Sequence, residues 1–328
     1  MGDFLHSREC TPYSETYLAA GALFHLSTNS LTILNAARAS FFPTSDSAHK
    51  AIFAIRLWVD PRCLTGPPWP KPYVRGLDHI VYAGFAPGSS LVIDLKSRRI
   101  AGRVSQDFAA DTDYWNRVVF PMMMSITAAT AGIVELHCAC VAREGHGLLL
   151  AGPTRSGKST LSVALSSMGF GFLSDDRTLC SFRQRELCAY GLLTDLKLRS
   201  DGISWFSSLA NEFQTDGRTN GRECRLAPET LQLTRARQCK ASIMVFLERD
   251  DSAHFDCVPL SIEEVKHRIQ SELMAELPEA LDSQSAVISA LANLPCFLFR
   301  YTGHPSVVAR NLASLCDEVV TARKHVSG

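Results

Sequence analysis

The stretch Gly152-Pro-Thr-Arg-Ser-Gly-Lys-Ser159 decides the fold of this chain. Its spacing lets successive backbone N–H groups curl around a phosphate, while Lys158 reaches the outer phosphate oxygens and Ser159 faces Mg²⁺. The apolar run Gly147–Ala151 predicts a buried strand before the loop, and Thr160–Met168 predicts a helix whose N-terminal end faces the anion. The residues predicted to form the phosphate-binding site are Gly152, Pro153, Thr154, Arg155, Ser156, Gly157, Lys158, Ser159 and Thr160.

An acidic pair, Asp175 and Asp176, follows the loop closely, beginning seventeen residues after Lys158. A short helix and one return strand, Gly169–Ser174, fill the gap. A strand that runs back beside the loop strand delivers its terminal carboxylates near the loop. There, one carboxylate can hold a metal ion, directly or through water, and the other can accept a proton. The alternative, a solvated acidic turn, is less favoured when a phosphate loop lies nearby. The sequence does not fix which aspartate is the base and which holds the metal ion.

His137 lies fifteen residues before Gly152, in the segment Leu136-His-Cys-Ala-Cys-Val141. The alternation predicts a strand that forms a hairpin with the loop strand. On such a strand, Cys138 and Cys140 point to one face and His137 to the other, so the three are not expected to bind zinc together.

These motifs, in this order, resemble the catalytic domain of HPr kinase/phosphorylase and of the HPr kinase-related proteins. The resemblance covers about residues 115–200 well and continues loosely to about residue 320. It implies that the loop, with Lys158, binds the phosphates of ATP and that Ser159 binds Mg²⁺. It also implies that an aspartate of the Asp175–Asp176 pair acts as general base on an acceptor serine, and that His137 lies beside the transferring phosphate. We expect Asp175 to be the base and Asp176 to serve the metal ion.

The activity implied by this resemblance is ATP-dependent phosphorylation of a serine hydroxyl on a protein, peptide or small acceptor. HPr and a ribosomally made precursor peptide are both candidate acceptors, and a homo-oligomer is possible. Two other functions stay open: a P-loop ATPase or GTPase that uses no acceptor, and a nucleotide-sensing module without catalysis. Because a pure binder needs no base, the acidic pair speaks against the sensor.

Composition and patterning predict an α/β protein with two domains. The chain has 328 residues, 46% of them hydrophobic, which is enough for two cores of ordinary size. Short β-rich segments predict a smaller, mainly β or α+β domain over residues 1–110, and a P-loop kinase domain of the HPr kinase type is expected over 111–328. The 33 basic and 33 acidic residues balance, so we expect neither nucleic-acid nor membrane binding. The N-terminus does not resemble a signal peptide, which predicts a cytoplasmic protein with reduced cysteines.

Two further segments yield expectations about local structure. Asp113 is a possible N-cap for one long helix that begins at Tyr114 and packs under the nucleotide domain. Residues 211–225 are polar and punctuated by glycine, which predicts a loop able to bring arginine side chains over the phosphates. Those arginines are Arg218, Arg222 and Arg225.

Overall fold

The structure is a computed structural model that describes residues 10–44, 53–62, 66–192, 195–206, 218–220, 223–250, 255–273 and 278–326. It is mixed α/β with several sheets. The chain divides into two compact units, the first ending at Ala131 and the second beginning at Gly132.

The first unit holds a sheet that has eight strands among the described residues, in the order β3-β1-β2-β4-β8-β7-β6-β5. Apolar side chains alternate along these strands, so one face of the sheet packs into the core. The strands are β1 Tyr13–Ala19, β2 Ala22–Thr28, β3 Phe42–Pro43, β4 Phe53–Asp60, β5 Tyr73–Leu77, β6 Ile80–Ala86, β7 Ser89–Asp94 and β8 Arg99–Ser105. The helices are α1 Leu31–Ser40, α2 Gln106–Ala110, α3 Thr112–Tyr114, a π-helix Trp115–Val119 and α4 Phe120–Thr130.

The boundary between the units falls after Ala131 rather than after residue 110, where the sequence placed it. The reason is packing. Phe120 meets Phe41 edge to face, with ring centroids 5.2 Å apart, and the hydroxyl of Ser40 donates to Asn116 Oδ1 at 2.9 Å. The segment between residues 111 and 131 therefore belongs to the core of the first unit.

The single helix predicted from Asp113 is wrong in its start and its continuity. Asp111, not Asp113, is the capping residue, because its side chain accepts from the Tyr114 N–H at 2.9 Å. The helical path then widens into the π-helix before α4 begins. A run of short helical segments replaces one long helix.

The second unit holds a sheet with nine strands among the described residues, together with a small three-stranded sheet. The large sheet contains β9 Ile133–Leu136, β10 Ala139–Arg143, β11 His146–Ala151, β12 Gly171–Ser174, β13 Thr178–Arg183, β14 Glu186–Tyr190, β18 Gln238–Arg249, β19 Asp256–Pro259 and β20 Cys296–Tyr301. The small sheet contains β15 Leu196–Arg199, β16 Arg218–Asn220 and β17 Glu223–Leu226. The helices are α5 Lys158–Ser166, α6 Ser200–Ile203, a 3₁₀ turn Pro228–Leu231, α7 Ile262–Glu272, α8 Pro278–Ala292 and α9 Pro305–Val326.

The large sheet aligns several strand ends along one edge. β11, β18 and β20 run parallel to one another. β10 is antiparallel to β11, and β12 is antiparallel to β10, so β12 runs in the direction of β11. The carboxyl ends of these parallel strands and the amino end of β10 therefore lie at the same edge, which is where open α/β sheets bind ligands. The predicted strand and helix that flank the phosphate loop are confirmed as β11 and α5.

The arginine-bearing stretch 211–225 is partly regular structure rather than a loop. Arg218–Asn220 and Glu223–Leu226 are antiparallel strands, and Arg225 pairs in register with Lys197 of β15. Arg222 and residues 211–217 lie outside the described residues.

The cysteines and the helices bear on two other expectations. Cys138 and Cys140 are fully buried in the core, and no disulfide joins the described cysteines. Within the described residues, no group of three or more potential metal ligands lies close enough to hold an ion. In the same part of the chain, no helix is both long enough and apolar enough to cross a membrane.

Gly147 provides a test of packing in the large sheet. A Cβ added there would overlap Cys239 Sγ and lie 3.3 Å from the Lys240 carbonyl oxygen. We expect Gly147→Ala to lower the free energy of unfolding by about 1–3 kcal/mol, measured by urea denaturation. Cys239→Ala in the same chain should recover part of this loss. Gly76→Ala, which meets nothing within 4 Å, is the control. Equal stability of Gly147→Ala and the parent chain would contradict this packing.

Candidate functional site

The loop between β11 and α5 adopts a conformation that its glycines make possible. Gly152 and Gly157 have φ values of +138° and +90°, which side chains other than hydrogen rarely tolerate. Space is limiting as well. A Cβ on Gly152 would lie 2.6 Å from the Leu247 carbonyl oxygen, and one on Gly157 would overlap the hydroxyl of Tyr301. The loop thus brings its backbone close to the neighbouring strand ends, as a phosphate cradle requires.

Lys158 and Tyr301 hold the loop closed. Lys158 Nζ donates to the carbonyl oxygens of Gly152 at 2.6 Å and Pro153 at 3.2 Å, and the side chain is buried. Tyr301, at the end of β20, donates its hydroxyl to the Ser156 carbonyl oxygen at 2.6 Å. Burial raises the pKa of Tyr301 to about 12, so this hydroxyl remains a donor throughout the physiological range.

The loop also contains polar groups that a phosphate would fit. The Ser156 hydroxyl is buried and has no hydrogen-bond partner within the described residues. Lys158 brings a buried positive charge to the first turn of α5, where the helix dipole also favours an anion. Phosphate oxygens would complement this set of donors.

The two aspartates that follow β12 lie in different environments. Asp175 is 3% exposed, and its Oδ2 accepts from the Lys197 backbone N–H at 2.7 Å. Burial raises the pKa of Asp175 to about 6. Asp176 is more open and contacts His137 Nε2 at 3.1 Å and Lys197 Nζ at 3.0 Å. The hydrogen bond from His137 and the charge of Lys197 hold the pKa of Asp176 well below its usual range.

Contacts on either side of the turn fix the position of the acidic pair. Before it, the Ser174 hydroxyl lies 2.6 Å from that of Thr178, which in turn donates to the Cys138 carbonyl oxygen at 2.9 Å. After it, Arg177 Nε contacts the buried carboxylate of Glu135 at 2.5 Å. These contacts connect the turn to the segments at the ends of β9 and β10.

A cavity of about 500 Å³ brings most of the predicted site residues together. Those that line it are His137, Thr154, Arg155, Ser156, Gly157, Lys158, Ser159, Thr160, Asp175 and Asp176. Gly152 and Pro153 do not line the cavity. Their carbonyl oxygens instead receive the Lys158 side chain.

Sequence reasoning missed several residues of this cavity. Trp205, Arg249 and Tyr301 line it but belong to none of the motifs, and Lys197 and Arg199 line it from β15. The available signal was positional. Arg249 ends β18 and Tyr301 ends β20, and both strands run parallel to β11, which leads into the loop. Residues at such strand ends commonly reach the ligand.

No family model matches the sequence, and no curated protein matches it. The chain is similar to the structure of the HPr(Ser) kinase/phosphatase from Coxiella burnetii, with 14% sequence identity and a TM-score of 0.33. That match covers 58% of this chain and 97% of the other. Because a TM-score this low does not establish a shared fold, any functional assignment depends on the geometry of the site.

The contact between Tyr301 and the loop can be tested directly. Tyr301→Phe removes the hydroxyl that donates to the buried Ser156 carbonyl oxygen. Because that oxygen loses this hydrogen bond, we expect the free energy of unfolding to fall by about 1–3 kcal/mol. Urea denaturation followed by circular dichroism would measure the change. The exposed Tyr82→Phe substitution is the matched control and should have little effect. If the two variants proved equally stable, the contact between Tyr301 and the loop would be refuted.

Proposed function

We propose that the second unit is an ATP-dependent kinase that transfers a phosphoryl group to a serine hydroxyl of a protein, peptide or small acceptor. The observation that carries this proposal is convergence. The phosphate loop with Lys158, the hydroxyl of Ser159 and both carboxylates of the acidic pair line one cavity. Phosphoryl transfer depends mainly on positioning and on neutralising charge, and this set of groups suits both.

The loop and Lys158 are suited to hold the phosphates of the nucleotide. Lys158 is bound to loop carbonyl oxygens, so its ammonium group already lies within the curve of the loop. The backbone N–H groups at the start of α5 add the positive end of the helix dipole. Nucleotide phosphates would thus meet a positive site that needs little rearrangement.

The donor set also fits Mg²⁺, a hard ion that prefers oxygen ligands and binds few protein groups beside substrate phosphates. Ser159 Oγ and the Asp176 carboxylate would hold it. Bound Mg²⁺ supplies charge neutralisation at the phosphate oxygens. Asp176 suits this role because its contacts with His137 and Lys197 favour the ionised carboxylate.

Asp175 is the better candidate for general base. Its burial raises its proton affinity relative to an exposed aspartate, whereas the contacts of Asp176 lower that of the neighbouring carboxylate. A base whose pKa lies nearer the working pH transfers protons more effectively. In this assignment, Asp175 accepts the proton of the acceptor serine hydroxyl as its oxygen bonds to the terminal phosphorus of ATP, while the bond from that phosphorus to the ADP oxygen breaks and ADP leaves.

His137 and Lys197 are assigned to the same reaction through their contacts with Asp176. Both side chains line the cavity and approach different oxygens of that carboxylate. They would fix its orientation and place positive charge beside the phosphoryl group during transfer. The proposed acceptor is a protein, a peptide or a small molecule that carries a serine hydroxyl. HPr and a ribosomally made precursor peptide both provide a serine, and a homo-oligomer is compatible with either.

Lys158→Ala tests the phosphate site. Hydrogen bonds to charged groups contribute about 1.5–3 kcal/mol, so we expect ATP affinity to fall roughly 10- to 150-fold, measured by calorimetry. Lys96→Ala changes an exposed lysine of the first unit and serves as the charge-matched control. Equal ATP affinity in the Lys158→Ala variant and the parent chain would remove the basis for the loop assignment.

Asp175→Asn tests the catalytic assignment. The amide oxygen can still accept from the Lys197 N–H but cannot take up the substrate proton. We therefore expect phosphoryl transfer to fall roughly 10²- to 10⁴-fold while ATP affinity is retained. Transfer of labelled γ-phosphate to a serine-containing acceptor is the measurement, alongside hydrolysis without acceptor. Asp176→Asn, the matched variant, should instead raise the Mg²⁺ concentration required for activity.

The same assay separates the competing functions. Rapid hydrolysis without acceptor, unchanged in the Asp175→Asn variant, would favour an ATPase or GTPase. Tight nucleotide binding without turnover on any acceptor would favour a nucleotide sensor. Either result would contradict the kinase proposal.

A further inference from the structure

Trp205 lies at the part of the cavity that borders the start of α5. Its backbone N–H donates to the Gly202 carbonyl oxygen at 3.3 Å, which closes a tight turn. At Gly202, the position that a Cβ would occupy is 3.1 Å from Thr160 Oγ1. The turn that carries Trp205 therefore packs against Thr160, in the first turn of α5. Trp205 is only partly buried and lines the cavity.

His304 forms an aromatic pair with Trp205. The two ring centroids are 5.1 Å apart and the ring planes are nearly perpendicular, at 89°. The Ser306 backbone N–H donates to His304 Nδ1 at 3.2 Å. Because a backbone N–H can only donate, Nδ1 is the accepting nitrogen in this geometry. In the neutral ring, the proton then sits on Nε2.

The direction of a nucleotide along the loop determines what lies near this pair. In a phosphate loop, the lysine and the following serine serve the outer phosphates, while the backbone N–H groups also cradle the α-phosphate that carries the nucleoside. The chain from Lys197 to Trp205 begins at the acidic pair, passes Thr160 and ends at the aromatic pair. The proposed function places the outer phosphate beside the acidic pair, at one end of this segment. The nucleoside is then expected at the other end, near Trp205.

We propose that Trp205 and His304 form the nucleobase subsite of this cavity, with the indole stacking on a purine ring. This inference rests on the proposed function, because it requires the phosphates to occupy the loop. An aromatic platform suits the task since every base has a π face, and the larger purine ring gains more contact than a pyrimidine. His304 orients the indole through the perpendicular ring contact.

The test compares ATP with inorganic tripolyphosphate, which offers the phosphates without a base. Calorimetry would measure both affinities in the full-length parent chain and in Trp205→Leu, Trp205→Phe and Trp58→Leu variants. We expect the parent to bind ATP more tightly than tripolyphosphate. In Trp205→Leu, the ratio of the two affinities should fall roughly 5- to 100-fold. Trp205→Phe should retain most of this preference for ATP. Trp58→Leu, a partly buried tryptophan of the first unit, should retain all of it.

The outcomes distinguish failure of this inference from failure of the proposed function. If Trp205→Leu binds ATP as tightly as the parent does, the nucleobase subsite is refuted and the phosphate site stands. If it loses affinity for ATP and tripolyphosphate equally, Trp205 acts on the loop rather than on the base, which also refutes the subsite. If the folded parent binds neither ligand, both the proposed function and the subsite fail.

Discussion

Strand β18 is the element on which the second unit depends. Its side chains alternate between two cores: Met244 and Phe246 pack into one, while Ile243, Val245 and Leu247 pack into the other. A strand buried on both faces must satisfy its backbone hydrogen bonds within the sheet, because water does not reach it. β18 does so by pairing with β11, β14 and β20. A slip of one residue would exchange the two sets of side chains, so the register of the sheet is strongly determined.

That register places the chemistry of the site at one edge of the sheet. β11 leads into the phosphate loop, β12 into the acidic pair, and β20 ends at Tyr301, whose hydroxyl holds the loop. The phosphate loop, the acidic pair and Tyr301 lie in separate parts of the sequence. The cavity exists because parallel strands deliver their ends to the same place. The positions of the site residues therefore depend on buried apolar side chains in the interior of the sheet.

The sequence predicted the parts of the site that local spacing encodes, and it missed those that depend on distant pairing. The loop needs glycines at two fixed positions, so its strand and helix could be predicted from Gly152 to Ser159. The contact of Tyr301 with Ser156 spans 145 residues, and no local pattern announces it. The same limit applies to the division of the chain into two compact units. From its sequence alone, the apolar segment before His137 could pack in the core of either unit. The contact of Phe120 with Phe41 shows that it packs in the first unit.

The acidic pair shows how two adjacent residues acquire different properties from the fold. Lys197 contacts both aspartates, Asp175 through its backbone N–H and Asp176 through its ammonium group. The strand that carries Lys197 is anchored by Leu196 and Leu198, which share a buried cluster with Val163 of the loop helix. One patch of apolar packing thus connects the helix that begins the phosphate site with the residue that sets the environment of both carboxylates. The phosphate loop and the acidic pair are held together by this packing, so neither can shift far without disturbing the other.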